Sequence, residues 1–168
     1  SFLNHQMDTK LMEQIGQEFK RRFGHKPITK VLTIEASGIA VAIFVAHQLG
    51  VPMVFAKKSQ SVNIDGDMYV AQVESFLHND VEHVIVARKF LSEDDNILIV
   101  DDICSRGGTF YHRAKKLKEL GANDIYLYVS HCENTILEGD LLKGDLIKKV
   151  YTTDSIFTKS HEKVEVLK

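Results

Sequence analysis

Some segments of the chain place apolar residues at helical spacing, and others are short apolar runs typical of strands. The two kinds of segment alternate, which predicts alternating helices and strands. Residues 8–24 carry apolar side chains at helical spacing, with Asp8 placed to cap the first turn and Gly24 placed to end the helix. The β-branched run of residues 28–34 predicts a strand, and the Ala- and Val-rich residues 39–49 predict a second helix. The chain therefore begins with a helix, a strand and a helix.

The same alternation continues through the rest of the chain. Strands are predicted over residues 53–56, 97–100, 125–129 and 148–152, and a helix is predicted over residues 110–120. Strands that alternate with helices predict the α/β class, as a doubly wound parallel sheet with helices on both faces. Ligands of such sheets bind beyond the carboxyl ends of the strands, so we expect functional residues in the loops there.

Residues 59–95 lose the helical rhythm and predict a flexible hairpin, which we call the hood. Two strands are predicted in it, over residues 68–76 and 82–90, joined by a turn at residues 78–80. Nothing in the sequence selects one hood side chain to close over a ligand. The candidates are Tyr69, Ser75, Arg88 and Lys89. Neither an internal repeat nor a linker divides the chain, so residues 1–168 are expected to form one domain.

Two carboxylates and then a small, Gly-rich loop follow the predicted strand of residues 97–100. Asp101 and Asp102 are expected at the strand end, where carboxylates accept hydrogen bonds from the vicinal hydroxyls of a sugar. A helix that starts near Thr109 would direct its positive end and its free backbone N–H groups to the same place. The loop residues predicted to bind a phosphate are Ser105, Arg106, Gly107, Gly108 and Thr109. The alternative is a turn that binds nothing, which leaves the paired carboxylates without a role.

A second candidate loop follows the predicted strand of residues 28–34. Its small residues let backbone amides approach an anion closely, although an ordinary tight turn would use the same residues. The four residues of this loop are Glu35, Ala36, Ser37 and Gly38. Lys57 and Lys58 stand at the end of the next strand and would counter negative charge, the alternative being a solvated pair.

Composition and charge narrow the class of protein. The chain has 168 residues, of which 44% are hydrophobic and 26% charged, as in a globular domain with a sizeable core. A formal net charge of −2 argues against binding of a nucleic-acid polymer, which needs a basic face. No apolar stretch reaches the roughly 18 residues needed to span a bilayer, and no signal peptide is recognised. We expect no membrane partner and a cytoplasmic location.

Cysteine and histidine residues do not suggest further chemistry. Cys104 and Cys132 are the only two cysteines, with no metal-ligand spacing and no reason to pair, so a reducing compartment is expected. Cys104 is interpreted as a packing residue, because no pattern of His and Asp surrounds it. His83, His112 and His131 lack metal-ligand spacing and are interpreted as structural.

Residues 97–109 resemble the motif that binds phosphoribosyl diphosphate (PRPP) in the type I phosphoribosyltransferase superfamily. Residues 1–8, 33–40 and 49–58 resemble the bacterial xanthine phosphoribosyltransferase family, and this similarity extends over roughly the first hundred residues. The resemblance implies the type I phosphoribosyltransferase fold, a homodimer and Mg²⁺-dependent chemistry. It also implies transfer of a phosphoribosyl group from PRPP to a purine base in purine salvage, with xanthine preferred and guanine and hypoxanthine as alternatives.

The resemblance also implies roles for the candidate residues. Asp101 and Asp102 would be catalytic, holding the ribose hydroxyls directly or through Mg²⁺. The loop after them would bind the 5′-phosphate, and residues 35–38 would bind pyrophosphate. Basic residues at the positions of Lys57 and Lys58 often reach a neighbouring subunit's site. Asn4 would contact the purine, as the Asn of the same segment does in the family.

From Asp101 onward, the chain looks more like the C-terminal half of ribose-phosphate pyrophosphokinase. This second resemblance rests on residues 130–134 and 150–155 as well as on the motif itself. The two parts of the chain thus resemble different branches of one superfamily, which leaves three alternatives open. These are a PRPP-binding module, a pyrophosphokinase-like domain, and a recombined or designed hybrid without turnover. If the chain is instead a purine phosphoribosyltransferase, residues 130–133 are expected to contact the base.

Overall fold

A mixed sheet of eight strands carries three α-helices in a computed structural model that describes residues 7–59, 67–74 and 81–168. The helices are α1 (Thr9–Phe23), α2 (Ile39–Leu49) and α3 (Gly108–Glu119). The first four strands are β1 (Lys30–Ile34), β2 (Met53–Ser59), β3 (Met68–Glu74) and β4 (Val81–Ala87). The remaining four are β5 (Ile97–Cys104), β6 (Ile125–Cys132), β7 (Lys149–Thr153) and β8 (Val164–Leu167).

The strand order is β3-β4-β2-β1-β5-β6-β7-β8, with a parallel part and an antiparallel edge. Strands β2, β1, β5, β6, β7 and β8 pair in parallel, so their carboxyl ends lie along one edge of the sheet. Strand β4 pairs antiparallel with β2, and β3 pairs antiparallel with β4. The predicted α/β fold with a mostly parallel sheet is confirmed, and the hairpin extends that sheet beyond β2.

Helices cover both faces of the sheet, as the sequence predicts. Along β5, Leu98 packs in a buried cluster with Phe23 of α1 and Val45 of α2. The next residue, Ile99, points to the opposite face and packs with Leu117 of α3. Alternate strand residues are thus buried on both sides, which explains the continuous apolar run that begins β5.

The ends of α1 and α2 agree with the predicted limits because they are set by local capping. The Asp8 side chain accepts hydrogen bonds from the backbone N–H groups of Lys10 and Leu11, both at 3.1 Å. Gly50 follows α2 with a φ of 72°, a left-handed conformation that glycine adopts easily. The longest helix has 15 residues, and no helix in residues 7–59, 67–74 and 81–168 is long and apolar enough to cross a membrane.

Two central strands run further than the sequence predicts. Strands β5 and β6 stay paired past residues 100 and 129, through Asp101 opposite Val129 to Cys104 opposite Cys132. The prediction that the strand ends at the two acids is therefore wrong in its boundary. Polar side chains are tolerated inside β5 because residues 101–103 are less buried than the rest of the strand. The ladder, rather than hydrophobicity, sets the end of the strand.

Other boundaries also differ from the prediction. Strand β1 begins at Lys30 rather than residue 28, and β4 ends at Ala87 rather than residue 90. Strand β3 begins at Met68 as predicted, and residues 75–76 of its predicted range lie outside the described residues. Residues 88–90 form a short 3₁₀ turn instead of continuing β4. The predicted turn at residues 78–80 lies outside the described residues. Strand β8 was not predicted, because apolar and polar residues alternate over only four positions there, which is too few to indicate a strand.

Helix α1 approaches α2 closely at Gly16, which generates a prediction. A Cβ atom at this position would lie 2.7 Å from the Phe44 backbone carbonyl oxygen. We expect Gly16→Ala to lower the free energy of unfolding by about 1–3 kcal/mol, although alanine favours helices, because neither backbone can yield easily. Urea unfolding followed by circular dichroism measures the change. Gln14→Ala, at an exposed position of the same helix, should change stability by less than about 0.5 kcal/mol, and an equal effect of both would contradict the packing argument.

Candidate functional site

A cleft of about 740 Å³ lies at the carboxyl ends of β1, β2, β5 and β6. Its walls combine the two candidate loops with the acidic pair, as the topology of a parallel sheet predicts. The predicted residues that line it are Glu35, Ser37, Lys58, Asp101, Asp102, Ser105, Arg106, Gly107, Gly108 and Thr109. Glu133, of the predicted base-contacting segment 130–133, also lines it. The lining residues that were not predicted as contacts are Ile34, Ile103, Cys104, Phe110, Arg113 and Thr135.

The cleft opens where β1 and β5 separate. Their backbone register ends at Leu32 opposite Ile99. One residue further, the buried Thr33 hydroxyl donates to the Val100 carbonyl oxygen at 2.9 Å and replaces the next rung of the ladder. A Cβ atom on Gly38 would lie 2.1 Å from that hydroxyl oxygen, so only glycine fits there. Gly38 therefore supports the cleft from behind and does not line it.

Asp101 is the more enclosed member of the acidic pair. Its Oδ1 accepts a hydrogen bond from the Asp102 backbone N–H at 2.9 Å, while Asp102 itself is exposed to the cleft. Burial raises the pKa of Asp101 to about 6, and the hydrogen bond that protonated Asp101 donates to the Asp102 carboxylate and the charge of Asp102 act in the same direction. The Asp102 N–H and a nearby guanidinium oppose this rise. The positive groups around Asp101 are thus too few to offset the cost of burying its charged form.

Arg113 is a functional candidate that the sequence analysis missed. It lies on α3, is buried, and places Nη1 3.7 Å from Oδ2 of Asp101. Its guanidinium also lies over the Phe110 ring, 5.5 Å from the centroid. A signal was present in the sequence: position 113 lies three residues after Phe110 and four before Leu117, on the buried face of the helix. A charge on that face requires a partner inside the fold.

The predicted phosphate loop leads directly into α3. Gly107 precedes the helix with a φ of 79°, and the helix begins at Gly108. The first turn contains no acidic residue, so its backbone N–H groups and the positive helix end face the cleft without a competing carboxylate. This geometry suits a phosphate group.

The segment after β6 packs against the predicted phosphate loop. The Glu133 backbone N–H donates to the Cys104 carbonyl oxygen at 2.8 Å. A Cβ atom on Gly139 would lie 2.0 Å from the Arg106 carbonyl oxygen, so the chain packs against the loop there. The Arg106 side chain forms an ion pair with Glu138 at 3.0 Å. These contacts were missed because residues far apart in sequence make them.

The loop of residues 35–38 contributes side chains to the cleft at only two positions, Glu35 and Ser37. Glu35 Oε1 accepts a hydrogen bond from the Lys58 backbone N–H at 2.7 Å, which ties this loop to β2. The peptide bond between Glu35 and Ala36 is cis. Ala36 does not line the cleft and is exposed beside it.

Lys57 and Lys58 lie within β2, where they pair with Ile85 and Val84 of β4. Because side chains alternate along a strand, the two lysines point to opposite faces of the sheet. Lys58 lines the cleft, whereas Lys57 does not. Of the predicted lysine pair, one side chain can therefore contact a ligand bound in the cleft of its own chain.

The base-contacting residues expected from the sequence are only partly described. Asn4 lies outside the described residues, and so does Ser75 of the hood. At the end of β6, the Ser130 carbonyl oxygen accepts a hydrogen bond from the Thr153 hydroxyl at 2.6 Å. His131 Nδ1 lies 2.8 Å from the Ser155 hydroxyl, so this residue has a partner within the fold, in agreement with its structural interpretation.

The hood candidates Tyr69, Arg88 and Lys89 do not line the cleft. The Arg88 guanidinium lies over the Tyr69 ring, 4.7 Å from its centroid. Tyr69 instead lines a separate apolar cavity of about 40 Å³ between the hairpin and α3. The described part of the hood is therefore placed beside the cleft rather than over it.

The oxygen-rich acidic pair fits Mg²⁺ better than a transition metal. Among the residues that the structure describes, no group of three or more His, Cys, Asp or Glu side chains is arranged to hold a metal ion. Mg²⁺ binds commonly through one or two carboxylates and the oxygens of a phosphorylated substrate, and it favours the charged form of a carboxyl group. Asp101 and Asp102 meet this requirement.

Comparisons with known proteins agree with this geometry. The sequence matches the phosphoribosyl transferase domain family over residues 4–165. It is 54% identical over 107 residues to a xanthine phosphoribosyltransferase of Lachnoclostridium phytofermentans, which covers 64% of this chain and 55% of that protein. The chain thus spans about half the length of this curated relative.

Solved structures share the fold at low sequence identity. An adenine phosphoribosyltransferase of Giardia lamblia complexed with 9-deazaadenine superimposes with a TM-score of 0.70 at 23% identity, covering 86% of this chain and 78% of that one. A phosphoribosylpyrophosphate synthetase of Mycobacterium smegmatis gives a TM-score of 0.62 at 18% identity, covering 93% of this chain and 45% of that one. Both likenesses concern the fold alone.

The two loop glycines provide a matched pair of variants. A Cβ atom on Gly107 would lie 2.9 Å from Leu141 Cδ2, and its positive φ also disfavours a side chain, whereas a Cβ atom on Gly108 would meet open space. We expect Gly107→Ala to lower the free energy of unfolding by about 2 kcal/mol and Gly108→Ala to leave it unchanged or raise it slightly. Thermal and urea unfolding of the two variants measure this difference. Equal stabilities would show that the loop relaxes freely at position 107.

Proposed function

The chain belongs to the phosphoribosyl transferase domain family, and on this premise we propose that it transfers the 5-phosphoribosyl group of PRPP to a purine base. The products are a nucleoside 5′-monophosphate and pyrophosphate. We propose xanthine as the preferred base, supported by its curated relative, with guanine and hypoxanthine as alternatives. Residues 1–168 act as one catalytic domain in this proposal, with the hood over residues 59–95.

One observation carries the proposal: the acidic pair and the phosphate loop share one cleft. Asp101 and Asp102 lie at one wall, and the start of α3 lies next to them. A sugar phosphate presents hydroxyl donors and a phosphate anion on adjacent atoms, so it needs these two surfaces together. The volume of about 740 Å³ accommodates a ligand of this size.

The roles of the residues follow from the bonds that change. The ribose C1–O bond to pyrophosphate breaks, and a nitrogen atom of the base attacks C1 from the opposite face and then loses its proton. Residues 105–109 hold the 5′-phosphate, and Asp101 and Asp102 hold the ribose hydroxyls, so C1 stays oriented. When bound, Mg²⁺ would offset negative charge on the pyrophosphate. Lys58 and the N–H groups of Glu35 and Ser37, the two residues of their loop that line the cleft, would bind the departing group.

The base would approach from the side opposite the pyrophosphate loop. We propose Asn4 and residues 130–133 as its contacts. Glu133 supports this assignment because it lines the cleft beside the phosphate loop. The exposed Ile103 adds an apolar surface at the same strand ends, where it lies in register with His131. A flat purine ring needs such a surface on at least one side.

We also propose that the protein acts as a homodimer. Helix α2 is apolar over most of its length, and Ile43 on it is 51% exposed. Phe55 of β2 is 40% exposed and points to the same face of the sheet as Met53, which packs against the cluster that includes α2. Lys57 lies two residues beyond Phe55 and shares its face. Dimer formation through this surface would cover the two apolar side chains and direct Lys57 towards the partner.

Substrate binding and turnover test the proposed activity. We expect calorimetry to detect Mg²⁺-dependent binding of PRPP, and addition of xanthine to the same sample to produce xanthosine monophosphate. Asp102→Asn should weaken PRPP affinity by about tenfold or more without unfolding the protein, because it removes a charged acceptor from an exposed position.

Asp140→Asn is the matched control, because Asp140 is exposed and pairs with Lys143 away from the cleft. It should bind PRPP as the unmodified chain does. Binding without product from any base would contradict the transferase and leave a PRPP-binding module. Release of AMP from ATP with ribose 5-phosphate would instead identify a pyrophosphokinase. Absence of PRPP binding would overturn the assignment of the cleft.

Light scattering coupled to gel filtration tests the dimer. We expect the mass of two chains for the unmodified protein and of one chain for Ile43→Glu, because a buried, unpaired carboxylate disfavours association strongly. Gln17→Glu adds the same charge at an exposed position of α1 and should remain dimeric. A monomeric unmodified chain, or a dimeric Ile43→Glu variant, would contradict the proposed interface.

A further inference from the structure

The fold brings together the only two cysteines of the chain. Cys104 ends β5 and Cys132 ends β6, and the two residues are paired in register on these adjacent parallel strands. Their separation in sequence gives no reason to expect this contact. Both thiols are free and buried, at 1% and 0% exposure. Cys132 belongs to the segment 130–133, but it does not line the cleft, and the mechanism proposed above uses neither thiol.

The backbone geometry suits a disulfide bond. Neighbouring strands of a sheet lie about 4.7–4.9 Å apart, and the Cα atoms of disulfide-bonded cysteines lie about 4.4–6.8 Å apart. Both side chains enter the same hydrophobic cluster, so they point to the same side of the sheet. The two side chains are therefore neighbours on one face of the sheet, without any change in strand register.

Only weak hydrogen bonds hold the two thiols in their present positions. Cys104 Sγ donates to the Ser105 carbonyl oxygen at 3.7 Å, and Cys132 Sγ donates to the Glu133 carbonyl oxygen at 3.7 Å. A thiol is a weak donor, so little stabilisation is lost when either sulfur turns towards the other.

We propose that Cys104 and Cys132 form a reversible disulfide bond that weakens ligand binding at the phosphate loop. The oxidant is a peroxide. One sulfur displaces water from hydrogen peroxide and becomes a sulfenic acid, and the other sulfur then displaces a second water molecule to form the S–S bond. Two thiols thus lose two electrons and two protons, and one peroxide is reduced to two water molecules.

The position of the pair links its oxidation to the cleft. Cys104 lines the cleft and immediately precedes Ser105 of the phosphate loop. A disulfide brings the Cβ atoms to about 3.5–4.5 Å, less than the spacing of two strands, so the strand ends must move closer together. The same strand ends are joined by the hydrogen bond from the Glu133 N–H to the Cys104 carbonyl oxygen. Their movement would therefore displace the loop.

The first measurement follows the covalent change alone and does not depend on the proposed function. The full chain is reduced, freed of reductant, treated with hydrogen peroxide, and alkylated with a maleimide under denaturing conditions. We expect both thiols to escape alkylation and a proteolytic map to show one peptide joining Cys104 to Cys132. Cys132→Ala should form no such link. Persistence of two alkylated thiols, or oxidation of single cysteines to sulfinic acid without a link, would overturn the disulfide.

The second measurement tests the effect on the site and rests on the proposed function. PRPP with Mg²⁺ is titrated into the reduced, oxidised and re-reduced protein, and amide hydrogen exchange is followed over residues 104–110. We expect about a tenfold loss of affinity on oxidation, full recovery with dithiothreitol, and no loss in peroxide-treated Cys132→Ala. An unchanged affinity and unchanged exchange in the disulfide form would overturn the link to the loop. If the reduced protein binds no PRPP, the proposed function fails, and the exchange rates still decide whether the loop moves.

Discussion

The cleft depends on one hydrogen bond, from the Thr33 hydroxyl to the Val100 carbonyl oxygen, at the point where β1 and β5 diverge. Strands β1 and β5 are adjacent up to Leu32 and Ile99, and beyond this point the Thr33 side chain, not the backbone, bonds to Val100. A side-chain bond allows the strands to diverge while it still satisfies a buried carbonyl oxygen. Everything that lines the cleft lies beyond this point. The missing side chain of Gly38 leaves the space that this hydroxyl occupies.

Charge is distributed unevenly across the cleft, and each wall favours a different kind of chemical group. One wall offers the unopposed backbone N–H groups at the start of α3, which favour an anion. The neighbouring wall offers Asp101 and Asp102, which favour hydroxyl donors or a cation. Buried Arg113 compensates Asp101 only in part, because 3.7 Å is too long for a hydrogen bond. A ligand that carries phosphate and hydroxyl groups together satisfies both walls.

Local signals predicted the helices and the loops, and long-range contacts decided the rest. Asp8 and Gly50 cap helices through neighbouring residues, so the sequence alone sufficed to place those ends. The sequence alone placed the acidic pair next to the predicted phosphate loop, because these residues are contiguous in the chain. In contrast, the length of β5 depends on pairing with β6, and the packing of Gly139 against the loop joins residues more than thirty positions apart. Arg113 combines the two kinds of signal. Its position on the apolar face of α3 can be read from the sequence, but its partner Asp101 lies on another element.

The alternation of Lys57 and Lys58 also limits how this chain can change during evolution. Lys58 lines the cleft and Lys57 lies on the opposite face of the sheet, and the two residues are separated by a single peptide bond. Inserting or deleting one residue within β2 would exchange the two faces for every residue after it. Length variation in this region is therefore confined to loops, and the strand itself can vary only by substitution. A change in the length of β2 would thus alter the cleft and the opposite face of the sheet together.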